Sequence, residues 1–131
     1  MKSLKIALAQ VNCTVGDLAA NSRKIIEAAR RARDAGADLL LAPELALCGY
    51  PPEDLLLRPD FLRACDASLT QLALALPIPA VVGHPKAEAG RTWNAASLLR
   101  DRRIEATYCK GRLPNSEVFD EERYFDAGEG V

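Results

Sequence analysis

Histidine is almost missing from this chain. His84 is the only one in 131 residues, and none of the four cysteines, Cys13, Cys48, Cys65 and Cys109, stands in C-x-x-C spacing or beside it. Protein zinc sites are built from such clusters, so no metal site is expected. A nucleophile–histidine–acid triad has no recognisable pattern either, and His84, in V-V-G-H-P, reads as a structural residue at a strand end. No apolar run approaches the ~18 residues that a membrane span needs. The first twelve residues, MKSLKIALAQVN, alternate apolar and polar positions where a secretory signal would carry a continuous block. Reduced thiols and a cytoplasmic location are therefore expected. A charge excess is absent as well. Seventeen basic residues face 18 acidic ones, for a net charge of −1, which argues against nucleic acid or an anionic membrane as partner. What is present, 49% hydrophobic and 27% charged residues, is the composition of one globular domain or a piece of one.

The pattern along the chain is that of an α/β protein. Residues 5–11, KIALAQV, predict a buried strand, followed by a turn over 12–17 in which Asp17 is placed to cap a helix. That helix is expected over 18–35, with Leu18, Ile25, Ala29 and Ala32 on one stripe and Gly36 at the position that ends it. Residues 38–42, DLLLA, form a continuous apolar run without alternation. Such runs suit a parallel strand covered on both faces, and strand–helix–strand order predicts a βαβ unit. An irregular stretch over 43–52 precedes a short helical piece at 53–57. A second helix follows over 61–76, capped by Asp60 and closed by Pro77 and Pro79. Residues 80–84 predict a third strand. Residues 92–100 and 104–110 predict a hairpin around Asp101-Arg102-Arg103, and 111–131 a long structured loop.

Two charged residues stand where chemistry is possible. Glu44 follows the strand DLLLA and a proline, and residues just past the carboxyl end of a parallel strand line the ligand crevice of α/β sheets. A carboxylate there can act as a general base, or it can be a solvated loop or capping group. Lys110 ends the last predicted strand. It can stabilise an oxyanion if it faces a pocket, or guard a sheet edge as a solvated charge.

Three blocks narrow these readings. They are ALAQVNCTVGDLAANSRKI (7–25), PELALCGYPPEDLLLRPDFL (43–62) and YCKGRLPNSEVFDEERYFDAG (108–128). Together they resemble the glutaminase domain, of nitrilase or carbon–nitrogen hydrolase type, of the glutamine-dependent NAD synthetases. The opening block is shared by many nitrilase relatives. G-Y-P-P-E-D, combined with L-P-N followed by V-F-D-E-x-R-Y-F, is far more specific. The resemblance implies the nitrilase fold, a four-layer α–β–β–α sandwich, of which residues 1–131 would supply the N-terminal half. It also implies a chemistry. A cysteine thiolate attacks the glutamine side-chain amide, a glutamate moves the protons, and a lysine supports the charge on the carbonyl oxygen. By motif position Glu44 matches the base and Lys110 the lysine. Glu121 matches a second carboxylate near the site, and Tyr50 an aromatic near the glutamine pocket, unless Tyr50 simply packs in the core.

The sequence also departs from the family. Ser116 stands where the family has a glutamine-contacting tyrosine, and Cys109 where it usually has arginine. The family nucleophile lies in a Cys-Glu-Asp block, and no cysteine here is followed by Glu-Asp. Cys109 and Lys110 would point to opposite faces of a strand, Cys65 lies on an apolar helical stripe, and Cys48 is the only local rival. The chain is thus expected to stop before its nucleophile, to be inactive alone, and to self-associate or be marginally stable as half a sandwich. The domain itself is expected to need no cofactor, ATP and magnesium being implied only for an absent synthetase domain. Glutamine is the implied partner, and a homo-oligomer the implied full-length state. The rival readings are a stand-alone amidase of the same superfamily and a non-catalytic remnant with a binding or assembly role.

Overall fold

A computed structural model describes residues 3–110 and residue 125; Ser116 and Glu121 lie outside the described residues. The elements are β1 (Ile6–Leu8), α1 (Leu18–Asp34), β2 (Leu39–Leu41), a 3-10 helix (Glu53–Leu57), α2 (Pro59–Ala75), β3 (Ala80–Glu88), β4 (Arg91–Arg100) and β5 (Arg103–Cys109). Local signals account for the first helix at both ends. The Asp17 carboxylate accepts from Ala20 N at its start. At its end Gly36, at φ +83°, donates to Arg33 O while Ala37 donates to Ala32 O. This double closure occupies carbonyls that the last turn leaves bare, and it needs the left-handed conformation glycine adopts freely.

The five strands form one sheet in the order β1-β2-β3-β4-β5. β1, β2 and β3 are parallel, and β3, β4 and β5 are joined as antiparallel hairpins. Successive parallel strands step in one direction across the sheet. Right-handed crossovers then put both connecting helices on the same face, and α1 and α2 do pack against each other and against the sheet. The core lies between them, with Ile25, Ala29, Leu69 and Leu72 of the helices against Leu40, Val82 and Leu99 of the sheet. One helical layer and one sheet are two of the four layers of the expected sandwich.

Apart from the loop after β2, which crosses it at Gly83, the opposite sheet face has no cover among the described residues. β1, expected to be buried, is an edge strand with Leu8 71% exposed. Its ladder is also shorter than predicted, because β2 ends in Ala42-Pro43 and gives it nothing further to pair with beyond the bond from Ala9 N to Leu41 O.

Three other boundaries differ from expectation. α2 is not capped by Asp60. Pro59 takes the first helical position, where its fixed φ and missing N–H fit, and Asp60 falls in the first turn, paired with Arg63. The hairpin turn holds two residues, Asp101 and Arg102, both at positive φ, and Arg103 already pairs with Arg100 in the ladder. β3 runs four residues past His84 and through Pro85. The carbonyls of Val81 and Gly83 face the β2 side, where they accept from Ala42 N and Leu47 N. Pro85, two residues further, turns the same way, so its missing N–H removes no bond to β4. The strand then reverses through a second two-residue turn, Ala89-Gly90.

Candidate active site

Glu44 leaves the carboxyl end of β2 on a segment that is held from three directions. Leu47 N donates to Gly83 O at 3.1 Å, Gly49 N to Leu45 O at 2.9 Å, and Gly16 N to Cys48 O at 2.8 Å. Asn21, fully buried on α1, donates to Leu47 O at 3.1 Å and brackets Thr14 through both its N–H and its carbonyl. Leu45 through Gly49 are buried although irregular, and their backbone groups find these partners instead of water. Leu45 stands at φ +50°, a costly conformation for a branched side chain that the surrounding packing imposes. The segment crosses directly over Gly83. A β-carbon there would lie 2.4 Å from Leu45 N and 2.7 Å from Pro43 O. Glycine is therefore the residue that lets the loop carrying Glu44 touch the sheet.

Lys110 follows β5, and its N–H continues the ladder to Asn94 O at 2.8 Å. Its ammonium donates to Glu44 Oε1 at 2.7 Å. Asn94, buried in β4, donates from Nδ2 to the same oxygen at 2.9 Å. These three side chains border a cavity of about 250 Å³ on the uncovered sheet face, with Ala42, Pro43, Val81, Gly83, Ala95, Ala96 and Tyr108 as the other lining residues. The two charged side chains are only partly shielded, at 31% exposure for Lys110 and 45% for Glu44. A second carboxylate oxygen, Oε2, remains to exchange a proton, beside a cation that can stabilise nearby negative charge.

The sequence-derived residues are thus brought together only in part. Glu44 and Lys110 meet. Tyr50 does not line this cavity; it is half-buried and packs against the core. Ser116 and Glu121 lie outside the described residues. Asn94, Gly83 and Tyr108 acquire their places only when distant strands pair, and Asn21 only when the segment after β2 packs on α1, so no local pattern marks them. A larger cleft, of about 490 Å³, opens between the Ala89-Gly90 turn and the start of α2, but no carboxylate–lysine pair like Glu44–Lys110 converges in it.

None of the four cysteines lines the Glu44 cavity. Cys48 is fully buried, and burial pushes its thiol far above the ordinary range; Cys65, also buried, is pushed up to about 12. Neither supplies a thiolate near neutral pH. Cys109 precedes Lys110 in the same ladder, so its side chain points to the opposite sheet face, towards the helices. His84 also faces the helix side. Its Nδ1 donates to Pro85 O at 3.1 Å, leaving Nε2 to accept from Ser97 Oγ at 2.7 Å, and Ser97 Oγ meets Thr107 Oγ1 at 2.7 Å. Burial lowers the imidazole pKa and keeps the ring neutral. The residue is structural, as expected, although it sits within β3 and not at its end. Among the described residues no group of three or more His, Cys, Asp or Glu side chains is placed to hold a metal ion, and no helix is long and apolar enough to cross a membrane.

A carboxylate and a lysine meeting at the strand ends of a mixed α/β sheet agree with the sequence match, and residues 5–131 match the carbon–nitrogen hydrolase family. The chain belongs to that family. Within it, the chain is homologous to glutamine-dependent NAD(+) synthetases. It is 54% identical to the one from Xanthomonas campestris pv. campestris over 95% of its own length, and spans 23% of that relative. The structure of glutamine-dependent NAD+ synthetase from Acinetobacter baumannii in complex with ADP superposes with a TM-score of 0.92 at 40% identity, covering 98% of this chain and 25% of that one. The fit to a nitrilase-superfamily amidase from Nesterenkonia is weaker, with a TM-score of 0.83 and 30% identity over 97% of this chain and 49% of that one.

Proposed function

We propose that residues 1–131 form the opening part of a glutaminase domain that releases ammonia from glutamine for NAD synthesis. In this reading Glu44 is the general base and Lys110 stabilises the oxyanion. The observation that carries it is the 2.7 Å contact between Lys110 Nζ and Glu44 Oε1 on an open cavity. A thiol transfers its proton to Glu44 and attacks the amide carbon. As the tetrahedral intermediate collapses, the C–N bond breaks and Glu44 returns the proton to the departing ammonia. Water then enters, gives a proton to Glu44, and cleaves the thioester to glutamate and free thiol. Lys110 lowers the energy of both tetrahedral oxyanions. The thiol has to come from residues outside 1–131, since no cysteine here borders the cavity. Ser116 and Glu121 are proposed to complete the glutamine pocket, while Tyr50 takes the core-packing role that was its alternative. The domain takes no cofactor, and ATP and magnesium belong to a synthetase part beyond this segment. The full-length protein is a cytoplasmic homo-oligomer in this proposal.

The exposed sheet face is where the remaining two layers of the sandwich would pack, which accounts for apolar side chains such as Ile6 and Leu8 standing in the open. The absence of a cysteine at the cavity also favours a second reading, a remnant that binds or assembles without turning over substrate. One experiment separates them. In full-length protein carrying this segment, Glu44→Gln removes the base at constant volume. Glutamine hydrolysis is expected to vanish while ammonia-driven NAD synthesis persists as the folding control. Hydrolysis within a few-fold of the unsubstituted protein would refute the role of Glu44, and no hydrolysis by the unsubstituted protein would favour the remnant.

A further inference from the structure

We propose that Asn94 is a positioning residue that sets which oxygen of Glu44 faces the substrate and holds Lys110 beside it. This rests on the reading of Glu44 as the base. Glu44 comes from the loop after β2, and Lys110 from the end of β5, 66 residues later. Asn94, on β4, bonds to both. Its Nδ2 donates to Glu44 Oε1 at 2.9 Å, and its carbonyl accepts from Lys110 N at 2.8 Å. Only 3% of its surface is exposed, and it sits within a strand paired on both sides, so its own position is rigid.

The consequence lies in the geometry of the carboxylate. The last torsion of a glutamate is soft and nearly two-fold, so a tethered carboxylate can present either oxygen. Here the Asn94 amide and the Lys110 ammonium both donate to Oε1, filling its two acceptor directions and fixing the carboxylate plane. Oε2 is left as the oxygen that takes the proton. The residue type suits the task. An aspartate at this place would set a negative charge and an acceptor against Glu44, an alanine would offer no donor, and a glutamine would carry the amide one methylene too far. Asn94 touches the base and not the reacting bond, so its effect is expected on turnover and not on substrate affinity.

The test uses full-length protein carrying this segment, with Asn94→Ala, Asn94→Asp, Glu44→Asp and the double variant Asn94→Ala/Glu44→Asp. Asn94→Ala is expected to lower kcat for glutamine hydrolysis about a hundredfold, the scale of a ~1 Å misplacement, with KM within about threefold. Asn94→Asp, which keeps the volume, is expected to lose at least as much. Ammonia-driven synthesis and the melting temperature report folding. Glu44→Asp withdraws the carboxylate from the reach of Asn94, so the further Asn94→Ala change is expected to cost less than about threefold in that background. A merely structural asparagine would instead give losses that multiply, fall on KM as well as kcat, and track the melting temperature. Multiplying losses, or Asn94→Ala within threefold of the unsubstituted protein, would overturn the proposal and leave the glutaminase reading standing. If the unsubstituted protein fails to hydrolyse glutamine, the glutaminase reading falls and the proposal falls with it.

Discussion

Replacing Gly83 by alanine tests whether the approach of the Glu44 loop to the sheet governs turnover. The added β-carbon would stand 2.4 Å from Leu45 N and 2.7 Å from Pro43 O, whereas ordinary contact begins at 3.4 Å. The nearest pair therefore falls short by about 1 Å. Both atoms belong to the backbone, and neither can rotate away as a side-chain tip would. The loop has to retreat, stretching the 3.1 Å bond from Leu47 N to Gly83 O and drawing Glu44 from Asn94 and Lys110. Overpacking of this kind costs about 1–3 kcal/mol of stability. A base displaced by ~1 Å costs about a hundredfold in rate, or ~2.7 kcal/mol of barrier. In full-length protein, kcat/KM for glutamate release is expected to fall about a hundredfold while ammonia-driven synthesis is retained. Gly90→Ala is the control. Gly90 also has positive φ, at 78°, but a β-carbon there meets nothing within 4 Å, so backbone strain without displacement of Glu44 is expected to leave glutamine hydrolysis unchanged. Gly83→Ala activity within threefold of the parent would refute the argument that this contact positions Glu44 for turnover.

Lys110→Met in the same protein is expected to lower kcat by about 10²–10³-fold, since its charge matters most as the oxyanion forms, and a raised KM with unchanged kcat would argue against that role. Residues 1–131 alone, shown by circular dichroism to be folded, are expected to release no ammonia from glutamine. A glutamine-like electrophile is expected to leave Cys48 unlabelled on peptide mapping, and turnover with label on Cys48 would show that its burial does not suppress its thiolate. His84 makes stability depend on pH. Burial lowers its pKa in the folded chain, so the unfolded chain binds the extra proton as pH falls through about 6.5. The stabilisation is complete above that value and is lost on acidification towards the lower folded value. The melting temperature of the folded chain is expected to drop between pH 7.5 and 5.5, less so in His84→Gln, and a rise over that interval would contradict the buried neutral ring.

The sequence alone determined what depends on near neighbours. The Asp17 cap, the Gly36 stop, the apolar run of β2 and the 3-10 turn at Glu53–Leu57 are each specified within a few residues, and each stands where the pattern places it. Glu44 and Lys110 were legible because short motifs surround them. Where local rules failed, a partner far along the chain had the deciding influence. The third strand is expected over 80–84, yet β3 continues through Pro85 because its lost N–H faces away from β4. β1 reads as buried, but burial depends on whether a second layer covers its face, which no window of sequence contains. The site followed the same division. Asn94 lies 50 residues from Glu44, and in T-W-N-A-A it is one more polar residue in a strand; only the pairing of β4 with β3 on one side and β5 on the other brings its amide to Glu44 and its carbonyl to Lys110. Gly83 likewise needs no special torsion, so nothing local marks it. Its requirement is the close passage of another backbone, and that contact exists only in the folded chain.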